Sequence, residues 1–239
     1  MTERTRPGWE RWLAIAGIAY AVVHFLFLTH GSAGPDQSVG AVQRAFTHGA
    51  STEMQTGLLY QVSILLVLLF ALSLRAHLRL AEGEPKTLSS LVLGAASVSI
   101  ALGLVGSAML FVLEANVARL GDANLTYSLL QIWWATFIAY SLMLGIMAVG
   151  ASASGLINRS FPRWIGVLGV VSGLALAAGC LAFYPSGAVV QGPADGVAYI
   201  GEILFAVWAI ASSVVILRGR RAARATEGAE LRVESALAR

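Results

Sequence analysis

The sequence predicts an all-α fold: a polytopic membrane protein in which a six-transmembrane-helix bundle has both termini in the cytoplasm. Hydrophobic residues make up 57% of the 239 residues and charged residues only 12%, whereas soluble domains carry about 25% charged residues. Six long apolar stretches are present, and the basic residues lie almost entirely on one side of them. This composition excludes a soluble domain, a disordered chain and a nucleic-acid-binding protein.

Each apolar stretch is long enough to cross a bilayer, which takes about 20 residues of helix. We expect helices because lipid offers no partner to an unpaired backbone group, and no stretch alternates between polar and apolar residues as a barrel strand does. The predicted spans cover residues 12–29, 57–74, 88–113, 125–150, 164–184 and 197–217. They form a single domain over residues 1–219, and a basic cytoplasmic tail follows over residues 220–239.

The basic residues set the predicted orientation. Of the 16 Lys and Arg residues, only Arg44 and Arg119 fall on the side of the spans opposite the termini. The positive-inside rule therefore predicts a multi-pass protein of the cell membrane with cytoplasmic termini. We expect the first span to be retained, because its apolar run is long for the core of a signal peptide.

The longest loop, residues 30–56, is predicted to lie outside and to contain a short amphipathic helix. Val39, Val42 and Phe46 recur at helical spacing, and Asp36 is placed to cap the helix. We expect this helix to lie on the outer membrane surface. A lid over the bundle is the alternative.

Stripes of small residues predict where the helices pack, because small side chains let helix backbones approach closely in lipid. The stripe in the third span is Ala95, Ser99, Gly103 and Ser107, and that in the fifth is Gly169, Gly173 and Ala177. We expect both spans to be central to the bundle. A seam between two copies of the chain is the alternative.

Aromatic residues near the span ends predict belts at the two membrane interfaces. Those assigned to the inner belt are Trp9, Trp12 and Trp164, and those assigned to the outer belt are Tyr60, Tyr127, Trp133, Trp134, Tyr184 and Tyr199. Tyr140 and Trp208 fall near mid-membrane, where each needs a packing or hydrogen-bond partner.

A few ionisable and amide side chains interrupt the spans, which is costly in lipid and often functional. They are His24, Gln61, Glu114, Gln131 and Glu202. At 1.5 Å per residue, most lie within about 10 Å of the predicted outer boundary, whereas the inner halves consist mainly of Leu, Val, Ile, Ala and Gly. We therefore predict that these five residues line an outward-facing ligand-binding pocket above an inner half filled by apolar packing.

Each of these residues also has a structural interpretation. Glu202 and His24 are placed to share a proton or a hydrogen bond, but a buried glutamate can equally be a neutral, hydrogen-bonded structural group. The structural role is favoured for His24, and solvent exposure or pairing with Arg119 for Glu114. The chain has one cysteine, Cys180, and no metal-ligand motif, so neither a metal site nor a cofactor is predicted.

The last third of the chain contains a Pro-Arg-Trp entry to the fifth span and a glutamate followed by Ala-x-Trp in the sixth. The residues concerned are Pro162, Arg163, Trp164, Ile165, Gly166, Gly169, Gly173, Glu202, Ala206, Trp208, Ile210 and Gly219. In these residues the chain resembles a bacterial and archaeal family of six-span membrane proteins of unknown function. The resemblance implies a six-helix fold and no particular activity. The family's arginine before the third-span glutamate is replaced here by the apolar run 108–111.

The predicted function is that of a non-enzymatic integral membrane protein. Its pocket is expected to bind a lipid or a small apolar molecule, or the chain is a subunit of a membrane assembly or a homo-oligomer. One alternative is a small proton-coupled transporter, which requires a polar path through the inner half. Another is a membrane enzyme acting on an outer-leaflet lipid, which requires His24, Glu114 and Glu202 to converge.

Overall fold

The computed structural model describes residues 9–30, 37–48, 50–83, 85–113, 117–181, 197 and 199–219. Among these residues there are seven α-helices and no β-strand. The helices are α1 (Trp9–His30), α2 (Val39–His48), α3 (Ala50–Ala81), α4 (Thr87–Val112), α5 (Ala123–Ile157), α6 (Arg163–Leu181) and α7 (Tyr199–Gly219). All except α2 are long and apolar enough to span a membrane. The predicted fold class is therefore confirmed, while the cytoplasmic location of the termini stays a prediction.

Helices α3 and α5 extend well beyond their predicted spans of residues 57–74 and 125–150. Hydropathy marks only the part of a helix inside the lipid, and backbone hydrogen bonding continues through polar residues outside it. The start of α5 is set locally: Gly121 takes a positive φ of 81°, and the Asp122 carboxylate accepts a hydrogen bond from the Leu125 backbone N–H at 2.9 Å. The Asp122 side chain is therefore the N-cap of this helix.

The six long helices form a ring around an aromatic interior. Along the chain, α1 packs on α3, α3 on α4, α4 on α5 and α5 on α6. Helix α7 closes the ring, because Gly201 lies against the α6 backbone and Glu202 contacts α1. Phe70, Phe205 and Trp208 are fully buried inside it. That the spans of α4 and α6 are central to the bundle stays a prediction.

The stripes of small residues do pack within the chain. All four members of the α4 stripe are buried; Gly103 faces Ile64 of α3 and Tyr140 of α5. In α6, Gly173 lies directly against Gly145 of α5, so that the two helix backbones touch. These contacts place both stripes against neighbouring helices of the same chain rather than at a seam between copies.

Helix α2 covers one end of the bundle, which we call the α2 end. Val42 and Phe46 are fully buried, and α2 packs on α5 and α3. The Gln43 amide also donates a hydrogen bond to the carbonyl of Ala118. The apolar face of α2 thus contacts protein, so the preferred surface-helix interpretation is wrong and the lid alternative describes it better. Ser38 caps the helix, and Asp36 lies outside the described residues.

At the other end of the bundle, a carboxylate caps helix α4. Glu82 accepts hydrogen bonds from the backbone N–H groups of Leu88 at 2.8 Å and Ser89 at 3.0 Å. Partial desolvation raises the pKa of Glu82, but the hydrogen bonds from Ser89 and Leu88 and the charge of Lys86 outweigh it and lower that pKa below its ordinary value. The ionised carboxylate therefore stabilises the folded state.

We expect Glu82→Gln to lower the free energy of unfolding at pH 7 by about 0.5–1 kcal/mol, as for a partly solvated helix cap. Because the folded-state pKa is lowered, this stabilisation is present above the unfolded-state pKa and is lost as the pH falls through the folded-state value. Unfolding of both proteins in detergent at pH 7 and at pH 3.5 measures the effect. An equal difference at both pH values would contradict the role of the carboxylate charge.

Candidate functional site

The site is built on a contact between an imidazole and a carboxyl group, His24 of α1 and Glu202 of α7. The His24 Nε2 atom lies 3.0 Å from the Glu202 Oε2 atom, and the two side chains are 0% and 4% exposed. The other carboxyl oxygen, Oε1, accepts a hydrogen bond of 2.5 Å from the Ser141 hydroxyl of α5. One carboxyl oxygen of Glu202 thus accepts a hydrogen bond from α5, and the other lies within ion-pair distance of the α1 imidazole. We call His24 and Glu202 the pair.

Helix direction explains why the pair forms. His24 lies near the C-terminus of α1, and Glu202 lies near the N-terminus of α7. Because the two helices run antiparallel side by side, these positions come to the same depth, close to the α2 end. Depth along each span is readable from the sequence, and this part of the prediction agrees with the structure.

Aromatic rings enclose the pair. Tyr20 stacks on the His24 imidazole with ring centroids 5.0 Å apart and an interplanar angle of 22°. Phe27 approaches the same imidazole at 5.6 Å, and Phe205 meets Tyr20 edge-on at 5.6 Å. All three aromatic side chains are buried. The electrostatic interaction within the pair is therefore stronger than it would be in water.

Three tyrosines form the second part of the site, and we call them the tyrosine group: Tyr20, Tyr60 and Tyr140. They come from α1, α3 and α5 and are fully buried. The Tyr20 ring stacks on His24, and the Tyr60 ring contacts the Tyr140 ring at 5.8 Å. Side chains of α1 and α5 thus contact the Glu202 carboxyl directly, and the tyrosines are buried beside them.

The five residues predicted to line a pocket have different positions. The structure brings His24 and Glu202 together. Gln61 and Gln131 are half-buried on α3 and α5. Glu114 lies outside the described residues. That these residues form a ligand-binding site stays a prediction.

Two aromatic residues of this region lie deeper in the bundle than the sequence predicts. The sequence places Tyr60 and Trp133 in the outer belt, but both are buried in the bundle and their rings contact each other at 6.1 Å. Trp12, Trp164 and Tyr199 are exposed on the bundle surface, as the belt prediction requires. Tyr140 and Trp208 have the predicted packing partners: Tyr140 packs on Tyr60, and Trp208 on Phe70.

Tyr20 and Ser141 belong to the site but are not among the residues that the sequence predicts for it. Tyr20 lies four residues before His24, a spacing that places both on one face of a helix, so this signal was available. Ser141 offers no such signal, because a serine in an apolar helix commonly bonds its own backbone.

The half of the bundle away from α2 is not filled by apolar side chains alone, contrary to the prediction. Among the fully buried serines there, four make no hydrogen bond to a described residue, and they come from three helices. They are Ser73 of α3, Ser152 of α5, and Ser212 and Ser213 of α7. Serine resembles glycine and alanine in size, so a serine within an apolar segment does not by itself indicate a buried unpaired hydroxyl.

These features define a class: an α-helical membrane protein whose six spans enclose an acid–imidazole pair. No group of three His, Cys, Asp or Glu side chains suited to a metal ion occurs in the part of the chain that the structure describes. The chain matches none of the family models, curated proteins or solved structures with which it was compared. The family resemblance over residues 162–219 therefore stays a prediction.

Proposed function

We propose that this multi-pass protein of the cell membrane exchanges a proton at the pair and binds a small apolar molecule there. The supporting observation is the 3.0 Å contact between the imidazole of His24 and the carboxyl of Glu202, both buried in the bundle. Ionisable groups at such positions are costly, and in membrane proteins they commonly belong to ion pathways and proton relays. This favours the proton-coupled alternative over simple ligand binding.

Charge neutrality explains how the pair would work. With one titratable proton, the pair has no net charge, either as imidazole and carboxylic acid or as imidazolium and carboxylate. Removing that proton leaves a net negative charge, and adding a second leaves a net positive charge; both are unfavourable in a medium of low dielectric constant. The pair can therefore release its proton readily only when another positive charge takes its place.

The aromatic surroundings suit such a positive charge. The rings of Tyr20 and Phe27 contact His24, and Phe205 contacts Tyr20. Aromatic faces attract cations, most strongly when water is excluded. The proposed ligand is accordingly a small apolar cation with a single charge. Its binding would expel the proton, and proton return would expel the ligand, which is the exchange that a proton-coupled carrier needs.

Binding of a neutral lipid or apolar molecule without proton release is the second candidate. The rings of Phe27, Tyr60, Trp133 and Phe137 favour it, because they form a continuous aromatic cluster beside the pair. Such a surface can accept an apolar ligand without involving Glu202. Proton release separates the two candidates.

We expect the purified protein in detergent to bind trimethylphenylammonium, a small apolar cation with a single charge, and to release about one proton per cation bound. Calorimetry in two buffers with different ionisation enthalpies measures that number. The affinity should rise about tenfold per pH unit where the pair holds its proton. Glu202→Gln should release none.

Glu53→Gln is the matched control, because it makes the same change at another buried glutamate, on α3. This variant should keep the proton release of the wild type. Binding of the cation without proton release by the wild-type protein would favour the second candidate. No binding of the cation would contradict the proposed exchange.

A further inference from the structure

A second polar region lies away from α2, and we call it the hydroxyl layer. It consists of the hydroxyls of Ser73, Ser152, Ser212 and Ser213 and the indole N–H of Trp208. All five side chains are fully buried. Their polar atoms make no hydrogen bond to any residue within the described ranges.

Glycines make room for three of these groups. The Ser152 hydroxyl and the Trp208 indole nitrogen both lie close against Gly169 of α6, where a β-carbon would collide with them. The Ser213 hydroxyl lies in the same way against Gly17 of α1. The absence of side chains at these two positions thus gives the polar groups their space, and it places them between helices rather than toward lipid.

Ser73 is assigned to the same region by its position on α3. The Phe70 ring contacts the Trp208 ring at 5.7 Å, and Ser73 follows Phe70 by less than one turn of α3. The hydroxyl layer therefore draws on α3, α5 and α7 and is bordered by α1 and α6.

The layer lies between the pair and the end of the bundle opposite α2. Ser212 is ten residues after Glu202 on α7, which corresponds to about 15 Å along the helix axis. Trp208 lies between these two levels on the same helix. The buried Tyr20 lies four residues before His24 on α1, about 6 Å along the helix axis toward the same end. Polar groups thus occur at successive depths from Glu202 toward the opposite end.

The bonding of these serines is unusual for helices in a bundle. A serine or threonine within a helix commonly donates to a carbonyl three or four residues earlier, as Ser63 does to Tyr60 and Thr56 does to Thr52. The serines of the hydroxyl layer do not, and unpaired buried polar groups are unfavourable. Ordered water is the usual partner of such groups when several of them share one region.

We propose that the hydroxyl layer binds water molecules and that this hydrated layer is the route by which protons reach the pair from the end opposite α2. Each water or hydroxyl accepts one proton and passes on another, so no other bond changes and no charge remains in the layer. The route rests on the proposed proton exchange at the pair, whereas the hydration of the layer can be measured separately. This supplies the polar path that a proton-coupled carrier requires.

Hydrogen–deuterium exchange of the indole N–H groups tests the hydration. In spectra of protein labelled with ¹⁵N-tryptophan, the Trp208 signal is assigned by its loss in Trp208→Phe. We expect this indole to exchange at least about tenfold faster than that of Trp133, whose N–H is equally buried and likewise makes no hydrogen bond among the described residues, but which packs on Tyr60 and Phe137 rather than beside a buried serine hydroxyl. A Trp208 indole as protected as that of Trp133 would overturn the proposal.

The proton route is tested in vesicles containing the full chain. One infrared carboxyl band is assigned to Glu202 because it is present in the wild type and absent in Glu202→Gln. This band reports the protonation of Glu202 after the pH is changed on one side of the vesicle membrane. In the triple variant Ser152→Ala, Ser212→Ala, Ser213→Ala, we expect the response to a step at the end opposite α2 to slow by at least about tenfold. Ser97→Ala, which removes an exposed hydroxyl of α4, should leave the response unchanged.

The outcomes separate the route from the proposed function. A carboxyl response of normal speed in a folded triple variant would overturn the route and leave proton exchange at the pair intact. Rapid exchange of the Trp208 indole with no carboxyl response in the wild type would overturn the proposed function and, with it, the route. If the triple variant does not fold, Ser152→Ala alone is measured in the same way, with a slowed response expected and a normal one contradicting the route.

Discussion

His24→Ala is expected to lower the free energy of unfolding by about 3 kcal/mol or more, because it leaves Glu202 buried without its imidazole partner. The carboxyl would keep only the hydrogen bond from Ser141 among the contacts described above. Titration of the protein from a mild detergent into a denaturing one, with helix content as the signal, measures the loss. Stability within about 0.5 kcal/mol of the wild type would contradict a structural contribution of the pair.

A double variant distinguishes the interaction from the two separate residues. We expect His24→Leu combined with Glu202→Met to be more stable than the sum of the two single effects predicts, because replacing both partners with apolar groups leaves no unpaired polar group. Glu202→Gln should be milder than His24→Ala, since an amide can still accept the hydrogen bond from Ser141. A purely additive double variant would show that the two side chains are not energetically coupled.

Gly173→Ala is expected to destabilise the bundle by about 2–3 kcal/mol, the second large effect. A β-carbon at Gly173 would lie 2.5 Å from the backbone carbonyl oxygen of Gly145, and one at Gly145 would lie 2.8 Å from that of Gly173. Because the obstacle on each side is backbone, it cannot rotate away, and α5 and α6 must separate along their contact. The same titration from mild to denaturing detergent measures the change.

Gly94→Ala is the matched control for this prediction. No atom lies within 4 Å of a β-carbon placed at Gly94, which is an exposed position on α4. Alanine has the better helix propensity, so this variant should be as stable as the wild type or slightly more stable. If Gly173→Ala behaved like Gly94→Ala, the close approach of α5 and α6 would be refuted.

The fold could be predicted from sequence because hydropathy carries the number, type and approximate centre of the spans. The true helix ends could not, since residues such as Arg75 and Arg79 continue α3 beyond the apolar region. The short helix α2 was predicted from the spacing of Val42 and Phe46, but periodicity identifies an apolar face without saying whether lipid or protein covers it.

The candidate site could be predicted only in part, because the sequence shows how deep a residue lies in the membrane but not which neighbour it faces. The depths of His24 and Glu202 follow from counting residues along a helix, but the rotation of each helix about its axis depends on packing. Tyr60 and Trp133 therefore looked like interfacial residues, whereas they point into the ring. The serines of the hydroxyl layer were missed because their sequence context does not distinguish a small packing residue from an unpaired hydroxyl.

Closure of the ring by α1 and α7 has a consequence for biosynthesis. The ribosome delivers α1 to the membrane first among these helices and α7 after all the others, so His24 enters the lipid long before the carboxyl that it meets in the finished protein. Until then its imidazole needs a substitute partner, such as water, a lipid headgroup or the insertion machinery. Arrival of α7 thus completes the assembly, and a nascent chain stalled before Glu202 would present an unsatisfied histidine to membrane quality control.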